Sequence, residues 1–153
     1  MIKLKEEDKK LLNLIQEEGM AVARVGKIAK KLGMPTSTVN TKLKRFEKLG
    51  IIKGFCGVLD PEKLGRGFLA FNLSRARLDP KFKVETVGEK LAAIPETEEV
   101  FFIMGEWDYL TKLRVADKEE YTKVIPKLAR LITHGKGIMT TKCFKETHKI
   151  LVK

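Results

Sequence analysis

The chain of 153 residues is short of the side chains that build most chemical sites. It has two cysteines, Cys56 and Cys143, far apart and without a cysteine or histidine partner at ligand spacing. That pattern excludes a disulfide framework and suits a reducing compartment, with small buried roles as the default for both thiols. It has two histidines, His134 and His148, beside basic residues and with no acids arranged around them. No metal centre, nucleophilic site or cofactor is expected from these four residues. No apolar run approaches the roughly 20 residues that cross a bilayer. The opening MIKLKEEDKK is charged and lacks the apolar core of a signal peptide, so a cytoplasmic location without a membrane partner is expected. Low-complexity runs are few and 43% of residues are hydrophobic, which argues for a folded chain of one domain or two small ones.

What the chain does have is positive charge, a formal +11, which favours anionic partners. Residues 1–65 carry +6 and residues 66–153 carry +5, so the excess is spread. Its sharpest concentration is residues 24–53, with nine Lys and Arg against one acid, Glu47. Such a patch suits a polyanion.

Inside that patch, Pro35 to Leu49 separates into two faces at helical spacing. Val39, Leu43 and Phe46 form an apolar stripe. Ser37, Asn40, Thr41, Lys44 and Lys48 form a second row that contains no carboxylate. Hydroxyls and amides can hydrogen-bond base edges, and ammonium groups neutralise phosphates. Such a row also suits a plain solvated helix face, and the preceding residues give it context. VGKIAKKLG, residues 25–33, reads as a short helix with Ile28 and Leu32 inward and Gly33 as its stop. Met34 and Pro35 follow, and the Thr36 hydroxyl is placed to cap the next helix. A short helix, a turn containing Gly and a longer basic helix make the helix-turn-helix pattern. In double-stranded DNA, Ser37, Asn40 and Thr41 are expected to face bases, and Lys44 and Lys48 to contact phosphates. Thr38 and Arg45 fit either role, and Arg24 and Thr36 complete the DNA-facing set.

Around this core the chain divides into a head, residues 1–53, a linker strand and hinge, 54–65, and a tail domain, 66–153. A first helix over 6–18, closed by Gly19, covers the other two with Leu11, Leu14 and Ile15. Its first turn holds Glu6, Glu7 and Asp8, where the helix dipole favours anions. IIKGFCGVL, residues 51–59, reads as a strand, and Asp60 to Gly65 as a turn-prone joint. In the tail, strands are expected over 68–78, 100–104, 108–116 and 138–144. One helix is opened by Asp79-Pro80 and runs to about Ala93. A second, over 117–132, is expected to be kinked or broken by Pro126. The order βαββαβ is a ferredoxin-like split unit, so the whole is an α+β chain with a winged-type helix-turn-helix head. Helices cover one sheet face. The strands are apolar on both faces, and a second copy of the chain is the simplest cover for the other.

These features together resemble the Lrp/AsnC, or feast/famine, transcriptional regulators. The resemblance also rests on GIIKG at 50–54, LDPEKLG at 59–65 and GEWDY at 105–109, and it spans nearly the whole chain. It implies a homodimer or higher even oligomer on pseudo-palindromic DNA, with an amino acid or similar small effector held between tail domains near the hairpin. In that reading Gly105 lets a backbone amide approach a ligand carboxylate, and Asp108 accepts from an α-ammonium group. Tyr109 lies beside them. Thr141 supplies a hydroxyl from the last strand, and Cys143 stands where the family usually carries a second Thr. The same residues also suit a purely structural hairpin, with Gly105 serving the turn, Asp108 capping the strand and Trp107 packing. Lys5, Pro35 and Lys42 depart from the family's usual acid, capping Ser and Arg.

Two other functions compete. An architectural DNA-binding protein of little sequence preference is suggested by the charge of the tail. Some sirohaem decarboxylases are similar to the same family but carry a His and an Asn in the hairpin region. Here that region reads GEWDY, so no enzyme activity is expected.

Overall fold

The computed structural model describes residues 4–16, 24–55, 57–77 and 83–152. They form two compact units. One holds the described residues up to Val58 together with 145–152, and the other holds residues 59–144.

The first unit contains helices α1 (Glu6–Ile15), α2 (Val25–Leu32) and α3 (Thr36–Lys48). Leu11 and Leu14 of α1, Ile28 of α2, and Val39, Leu43 and Phe46 of α3 meet in one buried cluster. The expected end of the first helix, including Gly19, lies outside the described residues, as does Cys56. α2 stops at Gly33, whose φ of 63° lets the Met34 N–H turn back to the Ala29 carbonyl at 3.0 Å. Thr36, expected as the cap of the next helix, is instead its first residue, and Pro35 holds the cap position without a side-chain bond. Proline is tolerated there because first-turn N–H groups have no helical partner to lose. Beyond α3, Gly50 at φ 67° reverses the chain, and the Ile51 and Ile52 N–H groups reach the Phe46 carbonyl at 2.9 and 3.2 Å. The linker strand expected over 51–59 is not seen, since no ladder forms among its described residues. A strand needs a neighbour for its N–H and C=O groups, and this segment has none among the described residues. Val58 and Leu59 stand exposed.

The second unit contains β1 (Phe68–Ala76), α4 (Val84–Ala92), β2 (Thr97–Phe102), β3 (Tyr109–Val115), α5 (Lys118–Ala129) and β4 (Ile132–Met139). The sheet order is β2-β3-β1-β4 and every neighbouring pair is antiparallel. This is the expected βαββαβ arrangement. Alternation along the strands divides the residues. Ala70, Tyr109, Leu113 and Val115 point into a core with Val87 and Leu91 of α4 and Tyr121, Val124 and Leu128 of α5. On the other face Phe71 pairs with Ile138, and Leu110 with Leu73 and Phe101, an apolar surface on which Phe101 and Ile138 are exposed and Phe71, Leu73 and Leu110 half-buried.

Three expectations need correction. The last strand is Ile132–Met139, beginning six residues before the expected 138–144 and overlapping it only at 138–139. Gly135 and Gly137 hide it from a reading by side-chain pattern. They serve close packing, because a Cβ on Gly135 would lie 2.9 Å from Ile132 Cδ1, and one on Gly137 would collide with the Tyr121 hydroxyl. Helix α5 runs unbroken through Pro126. Its buried residues flank the proline on both sides, Tyr121 and Val124 before and Leu128 after, and their packing offsets a penalty of about 3 kcal/mol. Helix α4 begins at Val84, while Asp79 and Pro80 lie outside the described residues. No described helix is long and apolar enough to cross a membrane.

Candidate DNA interface and ligand site

Because Val39, Leu43 and Phe46 fix the inward side of α3, its opposite side is exposed by construction. Thr36, Ser37, Asn40, Thr41, Lys44, Arg45 and Lys48 are all exposed, Thr38 is half-buried, and Arg24 is exposed at the cap of α2. The Thr41 hydroxyl donates to the Ser37 carbonyl at 3.0 Å. Its proton is therefore used inside the helix, and its lone pairs remain to accept from a base amine.

Lys42 lies off that row, three residues after Val39 and four before Phe46, and it does different work. Its Nζ is 2.6 Å from Asp8 Oδ1 and 3.5 Å from Glu7 on α1. Asp8 is fully buried and also accepts the Lys5 N–H at 3.2 Å. Burial pushes the Asp8 carboxyl up, but the hydrogen bonds from Lys42 and the Lys5 amide outweigh it and hold the group below its ordinary range. The bond to Asp8 raises Lys42 in turn, against its own burial. This brace between α1 and α3 was missed from sequence. The available signal was a lysine bordering the apolar stripe.

The second cluster is the turn between β2 and β3. The Ile103 N–H donates to the Asp108 carbonyl at 2.8 Å, and Gly105 takes φ 137°, a conformation open to glycine. Asp108 is tied to β1. Its N–H donates to the Ser74 carbonyl at 3.0 Å, and its Oδ2 accepts the Ala76 N–H at 2.8 Å where β1 bulges between Arg75 and Ala76. Arg75 Nε donates to the Glu106 carbonyl at 2.9 Å, and its guanidinium lies 6.0 Å from the Trp107 ring centroid. Trp107 is thus packed by a cation. The Tyr109 side chain is fully buried, its hydroxyl donates to the Val84 carbonyl, and its ring meets Phe102 edge-on at 5.5 Å. It is a core side chain of the sheet unit. Burial raises its hydroxyl pKa.

Thr141 and Cys143 are exposed and follow the end of β4. The neighbouring Thr140 N–H still bonds the Leu69 carbonyl at 3.0 Å, at the start of β1. Asp108 instead sits opposite Ser74, near the end of β1. Five strand residues separate these places, about 17 Å at the usual rise per residue. One chain therefore holds Gly105 and Asp108 at one end of the sheet and Thr141 and Cys143 at the other. Among the described residues no group of three His, Cys, Asp or Glu side chains is placed to hold a metal.

Both units have recognisable relatives. Residues 5–53 match the winged helix-turn-helix DNA-binding family, and residues 73–148 match the Lrp/AsnC ligand binding domain. The HTH-type transcriptional regulator FL11 of Pyrococcus horikoshii is 30% identical, with 99% of each chain covered. The proline dehydrogenase transcriptional activator of Rhizobium radiobacter is 34% identical over 77% of this chain and 74% of its own. A transcriptional regulator of Neisseria meningitidis, solved in complex with L-methionine, has the same fold at a TM-score of 0.85 and 23% identity, covering 97% and 96% of the two chains. So does a feast or famine regulatory protein of M. tuberculosis complexed with L-methionine, at 0.85 and 21%, covering 98% and 100%. A basic helix-turn-helix unit joined to a ligand-binding α+β domain defines a DNA-binding transcriptional regulator, and no enzyme. The chain belongs to the Lrp/AsnC family.

Proposed function

We propose that this regulator binds DNA as a dimer and that an amino acid bound between sheet domains of neighbouring copies tunes its affinity. Ser37, Asn40 and Thr41 read bases, and Lys44 and Lys48 hold phosphates. The apolar sheet face with Phe71, Leu73, Leu110, Phe101 and Ile138 supports pairing of two copies. The observation that carries the ligand reading is the split of the candidate residues between opposite ends of one sheet. Gly105 and Asp108 of one copy and Thr141 of another can meet only at a junction between copies. There the ligand carboxylate takes backbone amides at Gly105, and its ammonium takes the Asp108 oxygen not used by Ala76. Cys143 in place of a hydroxyl favours an apolar ligand part. A ligand at such a junction acts on DNA affinity through its differential affinity for two assembly states, so a shift in oligomer population accompanies the response. Calorimetry against the twenty amino acids, with sedimentation in parallel, tests this. Failure of every one to bind below about 1 mM, or about −4 kcal/mol, defeats the ligand reading.

A further inference from the structure

Residues 145–152 leave the sheet unit and belong to the helix-turn-helix unit. Asn13 and Gln16 lie three residues apart at the end of α1 and meet this segment there. Asn13 Nδ2 donates to the Val152 carbonyl at 2.9 Å, and Asn13 Oδ1 accepts the Val152 N–H at 2.9 Å. Gln16 repeats the arrangement two residues earlier. Its Nε2 donates to the Ile150 carbonyl at 2.9 Å, and its Oε1 accepts the Ile150 N–H at 2.6 Å. A carboxamide that both gives to and takes from one residue reproduces what a neighbouring strand does in an antiparallel pair. Residues two apart along an extended segment point their backbone groups the same way, so two such amides suffice to hold it. Val152 is half-buried and packs on the apolar cluster of the three helices. Paired amides and an apolar anchor together hold this segment to α1.

The connectivity gives this docking a consequence. The chain passes from the first unit to the second at Val58–Leu59 and returns at Phe144–Lys145. Two covalent connections therefore join the units. A body on one tether swivels, and a body on two is restricted, which raises the effective concentration of one binding head once its twin has bound. We infer that residues 145–152 are a strap, held by Asn13 and Gln16, and that this second connection restrains the head for binding to two half-sites. The inference rests on the proposed dimer.

The docking is read by amide hydrogen exchange on the full chain. The Ile150 and Val152 amides should be protected, and the double variant N13A/Q16A should lose that protection while circular dichroism shows its helices intact. Fast exchange of both amides in the unaltered chain would overturn the docking. The restraint is read by inserting Gly-Ser-Gly-Ser between Phe144 and Lys145, which leaves the strap docked but slack. The probe is a duplex selected from a random pool, intact or cut to one half-site. Affinity for the intact duplex should fall roughly tenfold, the scale of a loosened tether, with single half-site affinity and amide protection unchanged. An insertion without effect on the intact duplex leaves the segment a mere local stabiliser and ends the inference. Sedimentation as a monomer defeats the dimer reading, and the exchange result on docking stands apart from it.

Discussion

At the scale of the residue, α3 separates two jobs that look alike in composition. Lys44 and Lys48 are exposed cations on the proposed DNA-facing row, whereas Lys42 is bound to a buried carboxylate. Lys44→Ala should weaken binding to every duplex and lower the salt slope by about one, measured by titration across ionic strengths. Asn40→Ala should cost about 1–3 kcal/mol on a specific site and spare random DNA. Equal losses on both would refute base reading by Asn40. The Asp8–Lys42 pair predicts a pH profile for the head. Asp8 has a depressed pKa, so its contribution is complete above the ordinary value of 3.8 and is lost as pH falls through the lower folded value. Lys42 has a raised pKa, so its contribution is complete below 10.5 and is lost as pH climbs through the higher folded value. Melting of the helical unit followed against pH should show a plateau between those limits. Lys42→Met strands the buried carboxylate and should cost about 3 kcal/mol. Changing Asp8→Leu with it should recover most of that loss, because an apolar pair needs no counter-charge.

At the scale of the element, the turn between β2 and β3 joins a structural role and a proposed ligand role in one side chain. Asp108 pins the bulge of β1 through the Ala76 N–H, and the same carboxylate is the proposed ammonium partner. Two substitutions separate the roles. Asp108→Ala removes the acceptor and should lower sheet-unit stability by about 1–2 kcal/mol in a denaturant melt. Asp108→Asn keeps an oxygen for Ala76 and should melt like the parent, yet lose the amino-acid response because its charge is gone. A full response in Asp108→Asn would assign the carboxylate to structure alone. The hairpin itself was legible from Gly105 and the apolar runs on either side. β4 was not. ITHGKGIM offers two glycines and few branched residues, and it becomes a strand because β1 supplies a ladder from Ala70 to Ala76.

At the scale of the molecule, the apolar sheet face is the feature most exposed to test. Phe71 stands near its centre, paired with Lys112 on β3 and Ile138 on β4. Phe71→Glu places a charge where the partner's apolar face would pack, and should convert a dimer into a monomer in sedimentation at micromolar concentration. A parent chain that is already monomeric there would remove the face as an interface. Footprinting should then show a bounded site on the protein's own promoter and none on random DNA. Uniform coverage of both would favour an architectural role.

Local pattern settled part of this molecule in advance. The apolar stripe of α3, the stop at Gly33, the basic row and the order βαββαβ all follow from periods of a few residues, which the chain carries wherever it folds. Contacts between distant residues were decided by packing alone. Asp8 meets Lys42 across 34 positions and Asn13 meets Val152 across 139, and no local period specifies either pair. The same holds for the linker, whose strand-like composition meets no ladder partner among the described residues. It holds also for Thr141 and Cys143, which antiparallel pairing of β4 with β1 carries to the end of the sheet away from Asp108. A strand's composition states that it can pair, but its register and direction emerge only when the buried faces are brought together.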